Sequence, residues 1–152
     1  MALTHYYQTE VGWMGQQRRG YLRSSADLPV IEVASPPEFN GHEHTWTPEH
    51  LFVASLNSCY MATFIAMSEM SKLDIVSFTS TAVGKLEKVE GLGFRLNEIV
   101  LKPKLVIKFE YDAERAQRIL EKAEKNCFIS NSILTEVKLE PSIDFEAMCA
   151  HA

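Results

Sequence analysis

Cysteine is scarce in this chain and follows no pattern. Cys59, Cys127 and Cys149 are the only three in 152 residues, widely spaced, with no Cys-x-x-Cys pair and no zinc-ribbon interval. An odd, unpatterned set excludes the disulfide framework of a small secreted domain and leaves packing or thiol chemistry as reasons to keep it. Positive charge is in deficit too. Against 20 Asp and Glu stand 15 Lys and Arg, a net charge of −5, so no general attraction to nucleic acid or to an anionic membrane is expected. No apolar run of membrane-spanning length goes uninterrupted, because the longest carries Ser55, Asn57, Ser58 and Glu69. The opening Met1-Ala-Leu-Thr-His-Tyr-Tyr lacks a basic region followed by an apolar one, so no secretory leader is expected and a cytoplasmic location is the default. With neither internal repeats nor a dividing linker, residues 1–152 are expected to form one domain.

What is present is core-forming material, 46% hydrophobic and 10% aromatic, concentrated in one stretch. Thr47-Pro-Glu-His-Leu-Phe-Val-Ala-Ser-Leu-Asn-Ser-Cys-Tyr-Met-Ala-Thr-Phe-Ile-Ala-Met-Ser-Glu-Met70 reads as a long helix. Thr47 can cap its first free amides, Pro48 needs no hydrogen bond at the first position, and Glu49 faces the positive end of the dipole. Its apolar residues go nearly all the way round, as in a helix buried on most sides. At 1.5 Å per residue it would span roughly 35 Å, about the diameter of a compact chain of this size. A second subunit would wrap it better than one small domain, so a homodimer with packed helices is expected.

The rest of the chain supplies strands. Residues 5–14 alternate Tyr7, Thr9, Val11 and Trp13, and Tyr21 to Ser25 begins the return after a turn at 15–20. Leu28–Ala34 is a third strand, and the Pro- and Gly-bearing segment 35–46 is a loop. After the long helix, Ile75–Val89 and the segment from Phe94 to Phe109 read as a hairpin closed by Glu90-Gly-Leu-Gly93. The alternation of its second strand slips by one residue at Asn97-Glu98, the mark of a bulge, and Pro103 is expected at an edge or another irregularity. Asp112 is expected to cap a helix from Ala113 to about Asn126, whose stripe of Ala116, Ile119, Leu120, Ala123 and Cys127 brings Cys127 to the buried side. Ser130-Asn-Ser132 marks a turn, and Val137 to Phe145 alternates as one last strand.

A central Cys in a long helix, then a hairpin, then a second helix ending in Cys resembles the OsmC/Ohr family of osmotically inducible and organic-hydroperoxide-resistance proteins. The residues that carry this are Thr47-Pro-Glu-His-Leu-Phe through Asn57-Ser-Cys59, similar to the family's Asn-Pro-Glu-Gln-Leu-Phe…Ala-Cys helix, and Cys127-Phe-Ile-Ser130, similar to its Cys-Pro-x-Ser. Thr47 stands for the family's Asn and Phe128 for its Pro. The resemblance covers most of the chain. It implies an α+β fold with antiparallel sheets around a long buried central helix, an intertwined homodimer, and peroxidase activity toward organic hydroperoxides through a Cys pair. Cys59 would be the peroxidatic thiol and Cys127 the resolving one, with a dithiol reductant such as a lipoylated protein and no cofactor. By the same resemblance Arg18 and Glu49 complete the site; Arg19, next to Arg18, stays open as the alternative. Cys149 has no counterpart.

Peroxide reduction needs a thiolate, and a thiol of pKa about 8.5 is mostly protonated at neutral pH. Cys59 lies three turns into its helix, beyond reach of the dipole's first-turn effect, so Arg18 is the expected source of the lowering, with Glu49 holding it. Glu49 and Cys59 are ten residues apart, roughly 15 Å on one straight helix, so Glu49 and Arg18 are expected to serve the Cys59 of the partner subunit. Phe52, Tyr60, Phe64, Phe128 and Met61 are the candidates for an apolar mouth that favours an alkyl hydroperoxide. His42, Glu43, His44 and His50 are too loosely spaced for a metal site, and none is expected. A Cys-based acyl hydrolase lacks a base near Cys59. The competing expectation is a non-catalytic dimer of the same fold that binds an apolar ligand or senses thiol redox state.

Overall fold

The computed structural model describes residues 3–24 and 27–146; the Ser25 end of the expected return strand and Cys149 lie outside the described residues. Two compact units are distinguished, Met1–Leu51 and Phe52–Ala152. In the first, β1 (Thr9–Trp13), β2 (Arg19–Ser24) and β3 (Ile31–Ala34) form an antiparallel meander in that order. β1 and β3 are shorter than the alternation suggested, and β2 begins two residues earlier than expected. The β1–β2 turn is tight, with Gly15 at φ 86° and Gln17 at φ 52°, and Trp13 Nε1 donates to the Gln17 carbonyl at 3.0 Å.

Helix α1 runs Pro48–Met70. Its start is the expected cap, since the His50 amide donates to Thr47 Oγ1 at 3.1 Å. Its end has no glycine. Lys72 takes the left-handed conformation, φ 54°. The Leu73 amide reaches the Ser68 carbonyl at 3.0 Å, and the Lys72 amide reaches that of Glu69 at 3.2 Å. This is a Schellman closure built on lysine.

The second unit is organised by β4 (Ile75–Val89) and β5 (Gly93–Ile107), paired antiparallel. The bulge falls where the alternation slips: Lys85 pairs Glu98 and Leu86 pairs Leu96, leaving Asn97 as the extra residue. On the other side of β5 the expected single last strand is two, β6 (Glu136–Leu139) and β7 (Ser142–Phe145), both parallel to β5. The sheet is therefore mixed rather than wholly antiparallel. Pro141 separates the two short strands, and Pro103 sits opposite the join, where neither requires its missing N–H. Helix α2 (Ala113–Asn126) buries the expected stripe, but Asp112 does not cap it. A helical turn over Glu110–Asp112 leads straight into α2, and the Asp112 carboxylate accepts from Arg115 Nη2 at 2.9 Å instead.

The core joins three elements: Leu56, Tyr60 and Phe64 of α1, Ile99, Leu101, Leu105 and Ile107 of β5, and Ala116, Ile119, Leu120 and Ala123 of α2 with Cys127 beyond its end. Gly84 lets α1 approach β4 closely, because a Cβ there would lie 2.5 Å from Val53 Cγ2. Only one flank of α1, Leu56, Tyr60, Phe64 and Ser68, is buried; Ser58, Met61, Ala62, Ala66 and Met70 are exposed. Burial on most sides is thus not achieved within one chain. By length and apolar content alone α1 could also cross a membrane, so its polar interruptions exclude less than the sequence suggested. Here its Leu56–Tyr60–Phe64 flank is part of the folded core.

Candidate active site

Cys59 and Cys127 meet. Cys59 faces out from α1 one residue before the core residue Tyr60 and is half-buried, whereas Cys127 is fully buried; both thiols are free. Cys127 ends α2 with extended backbone, φ −69° and ψ 123°. The chain then winds into a short turn over residues 128–132. The Asn131 amide donates to the Cys127 carbonyl at 3.0 Å, and the Ser132 amide to that of Ile129 at 3.0 Å. Two serines hold it: Ser132 Oγ donates to the Phe128 carbonyl at 2.6 Å and Ser130 Oγ to Glu124 Oε1 at 2.7 Å. The first amides of such a turn have no partner within it, and here they are used by sulfur. Ile129 and Phe128 donate to Cys59, and Ser130 and Ile129 to Cys127.

These donors set the two thiols apart. Burial pushes the Cys59 pKa up, but the Ile129 amide, the Cys127 thiol, the Phe128 amide and the Thr63 hydroxyl together outweigh it, and the thiol ends below its ordinary value. Cys127 goes the other way. Burial, only partly offset by the Ser130 amide, and the neighbouring Cys59 sulfur push it up to about 11. Of the two thiols Cys59 is therefore the first to ionise, and Cys127 keeps its proton and donates it to the Cys59 sulfur. Thr63 is the least of the four donors to Cys59. Its single hydroxyl proton also has the Cys59 carbonyl within 2.8 Å, and the two acceptors compete for it.

From the sequence, the lowering of the Cys59 pKa was expected from a guanidinium; hydrogen bonds achieve the direction without a cation. Arg18 is exposed and donates Nη1 to the Phe39 carbonyl at 2.8 Å. Arg19 is held by Glu32, which accepts from its Nε at 2.8 Å and also from its Nη2. Of the two, Arg18 is the guanidinium with no carboxylate partner among the described residues. Glu49 stands in the first turn of α1 and makes no ion pair among the described residues. Arg18 and Glu49 belong to the unit Met1–Leu51, and the two cysteines to Phe52–Ala152.

The four aromatic candidates divide. Phe128 is 79% exposed and directly follows Cys127. Phe52 is half-buried against the core. Tyr60 and Phe64 are fully buried and so offer no surface to a substrate, which corrects their assignment to the mouth. The Tyr60 hydroxyl donates to the Leu120 carbonyl at 3.0 Å, its pKa raised first by burial and then by Glu124. Phe64 stacks on Phe78 at 4.9 Å. Met61 is exposed. His50 shares a hydrogen bond with Thr47 at 2.8 Å and His42 contacts the Glu43 carbonyl at 2.7 Å; among the described residues no three His, Cys, Asp or Glu side chains converge as metal ligands.

Three contributors escaped the sequence reading. Thr63 had a usable signal, since it lies one helical turn after Cys59 and hence on the same face. The amides of Phe128 and Ile129 had none, because backbone donors leave no mark on residue identity.

Comparison with known proteins is consistent across the chain. The family described as OsmC-like protein matches residues 41–142. The uncharacterized protein YmaD of Bacillus subtilis (strain 168) is 25% identical over 139 residues, which are 90% of this chain and 91% of YmaD. Among solved structures, an OsmC-like protein of unknown function from Vibrio cholerae O1 biovar eltor superposes with a TM-score of 0.83 at 25% identity, covering 91% of this chain and 99% of that one. An organic hydroperoxide resistance protein from Elizabethkingia anophelis superposes with a TM-score of 0.75 at 22% identity, covering 96% and 100%.

Proposed function

The chain belongs to the OsmC-like protein family, and on that footing we propose that it is a thiol-dependent peroxidase that reduces organic hydroperoxides. The observation that carries the reading is the contact of the free thiols Cys59 and Cys127, the half-buried one with its pKa lowered and the buried one with its pKa raised. One sulfur is prepared as a nucleophile, and the other stays protonated until it is needed. The substrate class is taken from the Elizabethkingia neighbour, which is an organic hydroperoxide resistance protein.

In the reaction, the Cys59 thiolate attacks the outer oxygen of the hydroperoxide. The O–O bond breaks, the alkoxide takes a proton and leaves as the alcohol, and Cys59 becomes a sulfenic acid. Cys127 then attacks the Cys59 sulfur as thiolate. The S–S bond forms and the sulfenic oxygen leaves as water. A dithiol, such as that of a lipoylated protein, reduces the disulfide by two exchanges and restores both thiols. Free thiols of this kind suit a reducing compartment such as the cytoplasm.

Arg18 and Glu49 enter this reading as the pair that would further stabilise the thiolate and orient the peroxide. Arg18 is preferred to Arg19 because Glu32 already holds Arg19. Their reach to a Cys59 ten residues from Glu49 requires a homodimer in which they serve the partner. The exposed flank of α1, with Met61 and Met70 at 46% and 78% exposure, supports a second copy packing there. Phe52 and Phe128 remain the aromatic candidates beside the peroxide.

Consumption of cumene hydroperoxide with dihydrolipoamide tests the reading. Turnover by the wild-type chain and none by Cys59→Ser is expected. Equal consumption by both, or none by the wild type, would contradict it.

A further inference from the structure

Glu124 is an acid in a place that suits acids poorly. It stands in the last turn of α2, where the negative end of the helix dipole disfavours a carboxylate. Its neighbours at three and four residues, Leu120, Glu121, Cys127 and Phe128, include no cation to offset this. Glu124 is half-buried and, among the described residues, makes no ion pair. What its carboxylate does hold is Ser130, whose Oγ donates to Glu124 Oε1 at 2.7 Å, a bond strengthened by the charge on its acceptor.

Ser130 links that carboxylate to the thiols. Its hydroxyl is tied to α2 while its amide donates to the Cys127 sulfur, and the Ile129 amide before it serves both Cys127 and Cys59. These amides bear on sulfur only while the 128–132 turn keeps its setting against the end of α2. The Asn131 and Ser132 amides and the Ser132 hydroxyl bond to the carbonyls of residues 127–129, which shapes the turn without placing it. Ile129 packs partly against the core, and two side-chain hydrogen bonds fix the turn to α2. One is Asn131 Nδ2 to the Lys125 carbonyl at 3.2 Å; the other is Ser130 to Glu124. The second is shorter, has a charged acceptor, and begins on the residue whose amide is on Cys127. The end of α2 is in turn fixed to the helix of Cys59, because the Tyr60 hydroxyl donates to the Leu120 carbonyl one turn before Glu124.

We propose that Glu124 is a positioning residue for the thiol pair, which through Ser130 clamps the 128–132 turn so that its amides stay on the Cys59 and Cys127 sulfurs. In turnover the clamp would act twice, when Cys59 attacks the peroxide and when Cys127 attacks the Cys59 sulfenic acid. That role rests on the peroxidase reading; the clamp itself does not. By its charge alone Glu124 would oppose a Cys59 thiolate, so position and charge act on Cys59 in opposite directions and substitutions separate them.

The test reads alkylation of Cys59 by iodoacetamide at neutral pH, on the full chain in a Cys149→Ser background. Ser130→Ala keeps both the carboxylate and the amide but frees the turn. Cys59 then reacts about three- to tenfold more slowly, as expected for hydrogen bonds to a charged group that are weakened rather than lost. Ser130→Thr, which keeps the hydroxyl, restores the rate. Glu124→Gln still offers an acceptor oxygen and is no slower than wild type. Glu124→Ala added to Ser130→Ala slows Cys59 no further, because the two residues share one bond. In peroxide turnover, dimedone traps more Cys59 sulfenic acid in Ser130→Ala than in wild type, because Cys127 captures it more slowly. An unchanged or faster alkylation rate in Ser130→Ala, whatever its unfolding midpoint, makes the bond merely structural and overturns the proposal. Slower alkylation in Ser130→Ala, with no cumene hydroperoxide consumed by the wild type, overturns the peroxidase reading and leaves the clamp standing.

Discussion

Replacing Cys127 by alanine should raise the pKa of Cys59, and the size of the rise follows from the site. The substitution removes one of the four hydrogen-bond donors to the Cys59 sulfur. A hydrogen bond to a charged group is worth about 1.5–3 kcal/mol, and one pKa unit corresponds to about 1.4 kcal/mol. Cys59 is half-buried, so the lower end applies and a rise of about one unit is expected. An opposing effect exists, because the space left by the Cys127 sulfur can admit water and relieve the desolvation of Cys59. Cys127→Ser separates the two, since the hydroxyl keeps a donor in place and nearly the same volume; it should stay within a few tenths of a unit of wild type. The assay is the pH dependence of alkylation at Cys59 by iodoacetamide, read on the Cys59 peptide by mass spectrometry in a Cys149→Ser background. Below both pKa values the thiolate fraction changes tenfold per unit. The alanine variant should thus react about tenfold more slowly at neutral pH and equally fast once Cys59 is fully ionised. An unchanged or lower pKa in Cys127→Ala would refute the thiol-to-thiolate hydrogen bond as a source of the lowering.

Other substitutions probe other parts of the account. Phe64→Ala should cost about 3–5 kcal/mol in denaturant unfolding, because the ring is fully buried against Phe78 and leaves a cavity; a loss confined to peroxide KM would return Phe64 to the substrate mouth. Lys72→Gly should stabilise the chain by up to about 1 kcal/mol, since the residue sits at φ 54° where glycine has no Cβ penalty, and an unchanged unfolding midpoint would argue against strain there. Arg18→Gln should lower peroxide turnover at least tenfold, whereas Arg19→Gln, which breaks a half-exposed pair with Glu32, should change stability by no more than about 1 kcal/mol; the reverse pattern in steady-state kinetics would move the role to Arg19.

Features encoded locally were the ones legible in the sequence. Thr47 and Pro48 announce the start of α1, the slip at Asn97 announces the bulge, and the stripe through Ala123 predicts the burial of Cys127. The end of α1 was placed correctly, but its device, a lysine in a glycine conformation, was hidden because the closing hydrogen bonds overrule the residue's preference. The division of the last strand into β6 and β7, and their parallel pairing with β5, depend on which distant segment each one meets, and alternation alone carries no partner. A helix apolar on all sides does not say which side faces inward, and so Tyr60 and Phe64 were read as candidates for a surface that they do not form. Asp112 has the right identity for a cap, yet Arg115 one turn later claims its carboxylate.

The central claim is that Cys59 and Cys127 work as one redox pair, and mapping the thiols after a single oxidising event tests it most directly. The full chain, reduced and then exposed to one equivalent of cumene hydroperoxide, should yield one equivalent of the alcohol and one Cys59–Cys127 disulfide by peptide mass spectrometry, and dihydrolipoamide should reverse it. Both thiols left free with the peroxide intact, or a disulfide joining Cys149 to either of them in place of that pair, would contradict the account.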